Sequence, residues 1–279
     1  MAMVINTNIA SINSQRKLQE TTSTLTTSME RLSSGLRVNS AKDDAAGLAI
    51  SNRMTSQIRG MTVAVRNASD GISLAQTAES AMGELTNTLQ RMRDLGVQSA
   101  NDGSVSGGDR NKMQEEFKQL NDELTRIITS SEFNGKKIIN GSLSAGLAIQ
   151  VGANTASDNR INISIANLAT TIASVTGASI GSGATATGAR LAIDAIDLAI
   201  KAIDTSRAKL GAIQNRFTTT ISNLNSSIEN QSAARSRITD TDFATETANL
   251  SRGQILQQAG TAMLAQANQS GQSVLTLLR

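Results

Sequence analysis

ARLAIDAIDLAIKAIDTSRAKLGAIQNRFTTTISNLNSSIE, residues 189–229, sets apolar side chains at steps of three, four and once seven, a helical stripe: Ile193, Ile196, Ile200, Ile203, Leu210, Ile213, Phe217, Ile221, Leu224 and Ile228. That spacing belongs to a long helix with one apolar face laid against another helix. The chain contains no proline, so no ring interrupts the backbone ladder.

Both ends repeat the pattern. Ile5, Ile9 and Ile12 form one run and Leu25, Met29, Leu32 and Leu36 a second, with a stutter near Arg16 between them. After an interruption at 37–44, Ile58, Met61, Val65, Ala68, Ile72 and Ala75 resume the stripe. Leu85, Leu89 and Met92 carry it towards Asn101, which predicts one long helix. NDGSVSGGD (101–109) supplies turn residues, and Met113, Phe117, Leu120, Leu124 and Ile127 open a third helix. Leu256, Ala259, Met263, Ala267, Val274 and Leu277 mark the last.

From about residue 140 the period changes to two. LAIQVG (147–152) and RINISIA (160–166) read as strands, and NTASDN (154–159) between them suits a turn. TGASIGSGATATG (176–188), poor in charge and rich in Gly, Ser and Thr, reads as an exposed loop. The predicted fold is mainly α: long antiparallel helices in a coiled-coil-like bundle formed by the N- and C-terminal segments, with a small β-hairpin insertion. Residues 1–40 and 240–279 are the terminal helical arms. Residues 41–239 are a helical rod domain with a hairpin near 146–166 and a Gly/Ser/Thr-rich loop near 174–189.

The arms carry many Ala, Ser and Thr, so one pair buries little apolar area at ~25 cal/mol per Å². Ordering them costs roughly 1–2 kcal/mol per residue in backbone entropy. They are expected to be disordered in the monomer and to take their missing burial from partner chains.

Composition removes several chemistries. Among 279 residues there is no Cys, His, Trp or Tyr, so thiolate nucleophiles, imidazole bases and zinc-type sites are absent. No catalytic activity, cofactor or metal site is expected. No disulfide supports the fold. The formal charge is only +3 and no basic block occurs, which leaves nucleic-acid binding without support. No apolar run is long enough for membrane insertion, and MAMVINTNIASINSQ (1–15) lacks the features of a cleavable secretory signal.

RLSSGLRVNSAKDDAAGLAISNRM (31–54) and RNASDGISLAQTAESAM (66–82) resemble the N-terminal signature of bacterial flagellins almost residue for residue. LGAIQNRF (210–217), ARSRITDTDFATE (234–246), QILQQAGTAMLAQANQ (254–269) and VLTLLR (274–279) resemble that family's C-terminal signature, in the right order. The segment between them, where flagellins vary most, is very short here. The resemblance implies a secreted structural subunit of the extracellular flagellar filament, used for swimming, of a short form lacking large outer domains. It implies an assembly core made by the arms, through Ile5, Ile9, Ile12, Leu25, Met29, Leu32, Leu36, Leu256, Met263, Val274 and Leu277. Implied partners are many copies of the chain itself, the flagellar export apparatus, an export chaperone on the C-terminal helix, and the filament cap and hook-associated proteins. The chain would leave the cell unfolded by the type III route and order on polymerisation. A hook–filament junction protein shares the terminal helices, but the QNRF and SRITDTDFA motifs favour flagellin. Another coiled-coil adaptor would form a closed oligomer with ordered ends.

Four clusters carry candidate contacts. RVNSAKDDAAG (37–47) reads either as a capped helix junction, with Asn39 or Ser40 as N-cap, or as a subunit contact through Arg31, Asn39, Lys42, Asp43 and Asp44. Arg235, Arg237, Asp240 and Asp242 read either as a local ion-pair cluster or as an assembly contact. In LQRMRDLGVQ (89–98), the resemblance implies a surface for the host innate immune receptor, formed by Arg91, Leu95 and Glu116; a solvated helix face is the plainer reading. Flagellins often carry glycans on exposed insertions, which makes Thr176, Ser179, Ser182, Thr185 and Thr187 candidate acceptors.

Overall fold

The computed structural model describes residues 7–181 and 186–277, with the side chains of the last helix described as far as Gln269. Six helices and four short strands follow in order: α1 (Ile9–Ser34), α2 (Ala45–Ser99), α3 (Gly107–Ser130), β1 (Glu132–Phe133), β2 (Lys136–Lys137), β3 (Leu147–Gln150), β4 (Arg160–Ile163), α4 (Leu168–Thr176), α5 (Ala186–Thr239) and α6 (Phe243–Leu277). The mainly helical architecture expected from the periodicity is the one found, and β3 pairs antiparallel with β4 as the alternation predicted. Among the described residues no helix is long and apolar enough to cross a membrane.

The chain forms two compact units, Met1–Ser56 with Glu229–Arg279, and Gln57–Ile228. The second unit contains the hydrophobic core. Met82, Leu85, Leu89 and Met92 of α2 meet Phe117 and Leu124 of α3, Ile163 of β4, Leu168 of α4, and Ile196, Ile203, Leu210 and Phe217 of α5, all buried. On α5 the buried line is Ala189, Ala192, Ile196, Ala199, Ile203, Ser206, Leu210 and Phe217, so alanines occupy the centre of the seam and Ile193 and Ile200 flank it. Gly71 accommodates the Phe217 ring: a Cβ built there would lie 2.8 Å from Cζ. Gly83, on the same helix, faces open space.

Three features of this unit depart from the sequence reading. A second hairpin, β1–β2, closes on Asn134 and Gly135, both at positive φ (49° and 75°), the geometry that Asn-Gly favours in a two-residue turn. A helix, α4, fills residues assigned to no element, capped by the Asn167 side chain, which accepts from the N–H groups of Ala169 and Thr170. Finally, α5 begins at Ala186, so the expected loop is shorter: Thr176 ends α4 and Thr187 lies inside α5. Ser182 and Thr185 lie outside the described residues.

In the first unit, α1 runs unbroken through the expected stutter at Arg16. Asn8 caps its start by accepting from the Ser11 N–H, and Gly35, at φ 73°, ends it. Five threonines, Thr21, Thr22, Thr24, Thr26 and Thr27, donate their hydroxyls to the carbonyl four residues back.

Candidate assembly surface

The helices α1 and α6 pair along a seam that mixes leucines with small side chains. On α1 the inward positions are Ser11, Ser14, Leu18, Thr21, Leu25 and Ser28, of which Ser11 and Ser28 are buried; on α6 they are Glu246, Leu250, Gly253, Gln257, Gly260, Leu264 and Ala267. Both sets keep the alternating three-and-four repeat of a coiled coil. The two glycines bring the helices close: a Cβ at Gly253 would stand 3.1 Å from Leu25 Cδ1, and one at Gly260 3.2 Å from Leu18 Cδ1. Toward one end of the seam, Asn8 donates through Nδ2 to the Ala267 carbonyl at 2.8 Å, and the Ser11 hydroxyl to Asn268 Oδ1 at 2.8 Å. Toward the other, Arg31 stands 3.8 Å from the Glu246 carboxylate, which is only 7% exposed and lies in the first turn of α6.

Five of the large apolar residues of the expected stripe do not lie where it placed them. Ile9, Ile12, Met29, Leu256 and Met263 were expected to face the partner helix. They point outward, as does Ile255, and all six are between 48% and 68% exposed. The physical reason is that the inward heptad positions are held by leucines set against glycines and serines, Leu25 on Gly253 and Leu18 on Gly260, which turns the neighbouring large residues to the flanks. Leu25, Leu32 and Leu36 are half-buried. Leu256 and Met263 line a groove of about 550 Å³ with Leu18 and Thr21 across the pair. Ile5 lies outside the described residues, and so do the side chains of Val274 and Leu277. Sequence reasoning missed Ile255, Gly253 and Gly260; the one available signal was two glycines seven apart, in step with the heptad.

The breaks between α1 and α2 and between α5 and α6 face each other. Leu36 and Asp240 form an isolated antiparallel bridge, the Thr241 N–H donates to the Gly35 carbonyl at 2.9 Å, and Arg37 Nη2 donates to the Ile238 carbonyl at 2.5 Å. Asn39 and Ser40 are not the N-cap of α2. Asp44 fills that place, its Oδ1 accepting from the Gly47 N–H at 2.8 Å. Asp43 instead accepts from the N–H and hydroxyl of Ser40 and from the Asn39 N–H, and these bonds, Ser40's first, hold its carboxyl below the usual range. Asn39 shares a shallow groove of about 450 Å³ with Met29, and Lys42 is exposed.

Arg235, Arg237, Asp240 and Asp242 form no ion-pair cluster. Asp242 caps α6, its Oδ1 accepting from the Ala244 N–H and its Oδ2 from the Thr245 hydroxyl; these bonds, Thr245's first, lower its pKa. Asp240 is lowered first by Ser236, then by Thr239 and more weakly by Arg235. Arg235 donates to the Thr55 hydroxyl at 3.3 Å. Capping of α6 takes up Asp242, and the hydroxyls of Ser236 and Thr239 take up Asp240.

In the second unit, Arg91 and Glu116 meet across α2 and α3 at 2.6 Å, both substantially exposed. Arg93 pairs with Asp197 at 2.7 Å. Leu95, expected at the same surface, is 3% exposed and belongs to the core, because its step along α2 follows Met92 onto the buried face. Val97 is the exposed apolar residue of that turn. Ser179 is exposed, its hydroxyl directed at Gln114 Oε1.

The comparisons agree with this architecture. Models of the bacterial flagellin N-terminal helical region and C-terminal helical region match residues 5–143 and 193–278. The chain is 39% identical to flagellin B of Vibrio cholerae and 40% identical to flagellin D of Vibrio anguillarum, in each case over 100% of both chains. Each alignment extends over 377 positions against 279 residues here, so 98 positions (377 less 279) have no counterpart in this chain, as befits a form without outer domains. In fold, the chain is similar to a Vibrio parahaemolyticus structure named as a flagellar hook-associated protein, with a TM-score of 0.60 at 13% identity, covering 71% of this chain and 100% of that one. Two family regions in sequence order, matched over most of its length, make the chain a member of the bacterial flagellins, the structural subunits that self-assemble into the extracellular filament of the flagellum.

Proposed function

We propose that the paired helices α1 and α6 form the inner core of the filament and that residues 41–239 form its helical rod. The observation that supports this reading is the ring of outward apolar side chains, Ile9, Ile12, Met29, Ile255, Leu256 and Met263, which the chain leaves in water. Burying one such side chain is worth roughly 1.5–3 kcal/mol. Neighbouring copies cover these flanks while the seam holds the pair together. Copies related head to tail without ring closure continue into an open helix.

The same reading covers the partners. The unfolded chain passes the export apparatus with a chaperone on its C-terminal helix, and it orders at the tip beneath the filament cap, above the hook-associated proteins. The exposed Arg91–Glu116 pair is the proposed contact for the host innate immune receptor, without Leu95. Arg31, Asn39, Lys42 and the Arg235–Asp242 segment are proposed to touch neighbouring subunits. Ser179, Thr176 and Thr187 are the proposed glycan acceptors among the described residues.

Electron microscopy and sedimentation of the full chain beside one lacking residues 1–36 and 250–279 test the core assignment. Long filaments from the full chain alone are expected. A compact monomer or small closed oligomer from the full chain under polymerising conditions overturns it.

A further inference from the structure

The sequence contains two Asn-Gly dipeptides, Asn134–Gly135 and Asn140–Gly141, and the fold treats them in opposite ways. Asn134 and Gly135 form the exposed tip of the β1–β2 hairpin. Neither the Asn134 side chain nor the Gly135 N–H has a hydrogen-bond partner among the described residues, and the space around Gly135 is open. The ladder beneath the turn is two residues long on each side, continued by the Ile138 N–H donating to the Ser131 carbonyl and by the Lys137–Glu132 ion pair at 2.9 Å, and the tip itself takes part in none of these bonds. Asn140 is half-buried, and its Oδ1 accepts from the N–H and hydroxyl of Ser142 at 3.1 and 2.7 Å. The Gly141 carbonyl accepts from the N–H and hydroxyl of Ser144, and Gly141 packs so closely that a Cβ there would stand 2.5 Å from Asn167 Cγ.

We propose that Asn134–Gly135 is a site of spontaneous backbone modification, selected over Asn140–Gly141 by the fold. The Gly135 backbone nitrogen attacks Asn134 Cγ and forms a C–N bond. The bond from Cγ to the side-chain nitrogen breaks, and that nitrogen leaves as ammonia with the Gly135 amide proton. The resulting five-membered succinimide is opened by water, which gives its hydroxyl to one carbonyl carbon and its proton to the imide nitrogen. Opening at one carbonyl gives aspartate; opening at the other gives isoaspartate, with the main chain running through the former side chain.

Either product adds a negative charge beside Lys136 and Lys137. Isoaspartate also lengthens the backbone of a two-residue turn, which the Glu132–Lys137 and Phe133–Lys136 pairings cannot accommodate in register. Phe133 packs against the core, and Ile138 and Ile139 just beyond β2 are buried. The conversion therefore loosens the entry to the core as a subunit ages.

Trypsin separates the two sites, because Lys136 and Lys137 lie between them. The native full-length chain is incubated at mildly alkaline pH, beside the same chain in denaturant. Peptide mass and electron-transfer fragmentation then follow the amide-to-acid conversion and distinguish isoaspartate. In denaturant the two sites are expected to convert at similar rates. In the native chain Asn134 is expected to keep most of its unfolded rate, with Asn140 about tenfold or more slower, since its hydrogen bonds must open first. N134Q removes the conversion from its peptide, and S142A accelerates it at Asn140. Equal native rates at the two sites, or an Asn134 as strongly protected by folding as Asn140, overturn the proposal.

Discussion

Gly71 and Gly83 lie on one helix, α2, and a helix-propensity scale would treat them alike, each costing about 1 kcal/mol relative to alanine. Their neighbours separate them. Nothing lies near a Cβ at Gly83, so G83A should raise stability by up to about 1 kcal/mol. At Gly71 an added methyl meets the rigid, fully buried Phe217 ring, and G71A should destabilise by about 1–3 kcal/mol through overpacking. Calorimetric unfolding of the two variants should move Tm in opposite directions; equal shifts would contradict the packing assigned to Phe217.

The pairing of α1 with α6 rests on few strong interactions, and among the described residues Arg31 with Glu246 is the one between charges. Glu246 is buried while Arg31 is half-exposed, so removing the arginine strands a carboxylate that the α6 N-terminus only partly compensates. R31A should weaken the pair by about 1–2 kcal/mol, read as a higher critical concentration for polymerisation, and R31L combined with E246L should recover part of the loss. A double variant no better than R31A would leave packing, and not the stranded charge, as the cause. Periodicity named these helices and placed Leu25 and Ala267 correctly on the paired faces, but it also put Ile12, Met29 and Leu256 there, because hydropathy gives weight to them and none to Ser11, Ser28, Gly253 and Gly260. Helix α4 escaped notice for another reason. Its nine residues, LATTIASVT, span too few turns for a period to show, and its alanines and β-branched residues signal neither helix nor strand strongly. Arg91 and Glu116 were placed on facing helices by the resemblance alone; their spacing in sequence carries no such information.

Across the whole molecule, no side chain has an ordinary pKa between those of the carboxylates and lysine, because the chain has no His, Cys or Tyr. Thermal stability should therefore be flat from about pH 5 to pH 9. Below that range the folded carboxyls of Asp43, Asp109, Asp240 and Asp242 lie under their ordinary values, held down chiefly by Ser40, Ser106, Ser236 and Thr245 respectively. A lowered folded pKa gives stability that is complete above the unfolded value and lost as pH falls through the folded one. Glu20 and Glu123 are lowered as well, by Lys17 and Arg126, so unfolding followed against pH should show a single loss beginning near the ordinary carboxylate values of about 4. A step near neutrality would be inconsistent with this set of groups.

Of the five threonines of α1 that turn their hydroxyls onto their own backbone, Thr22, Thr24 and Thr26 are exposed and present their γ-methyl groups outward. A hydropathy scale scores these threonines as polar and gives no weight to the methyl groups they present. Contacts along that stretch with like surfaces would therefore draw on these methyl groups as well as on the few large side chains that announce themselves.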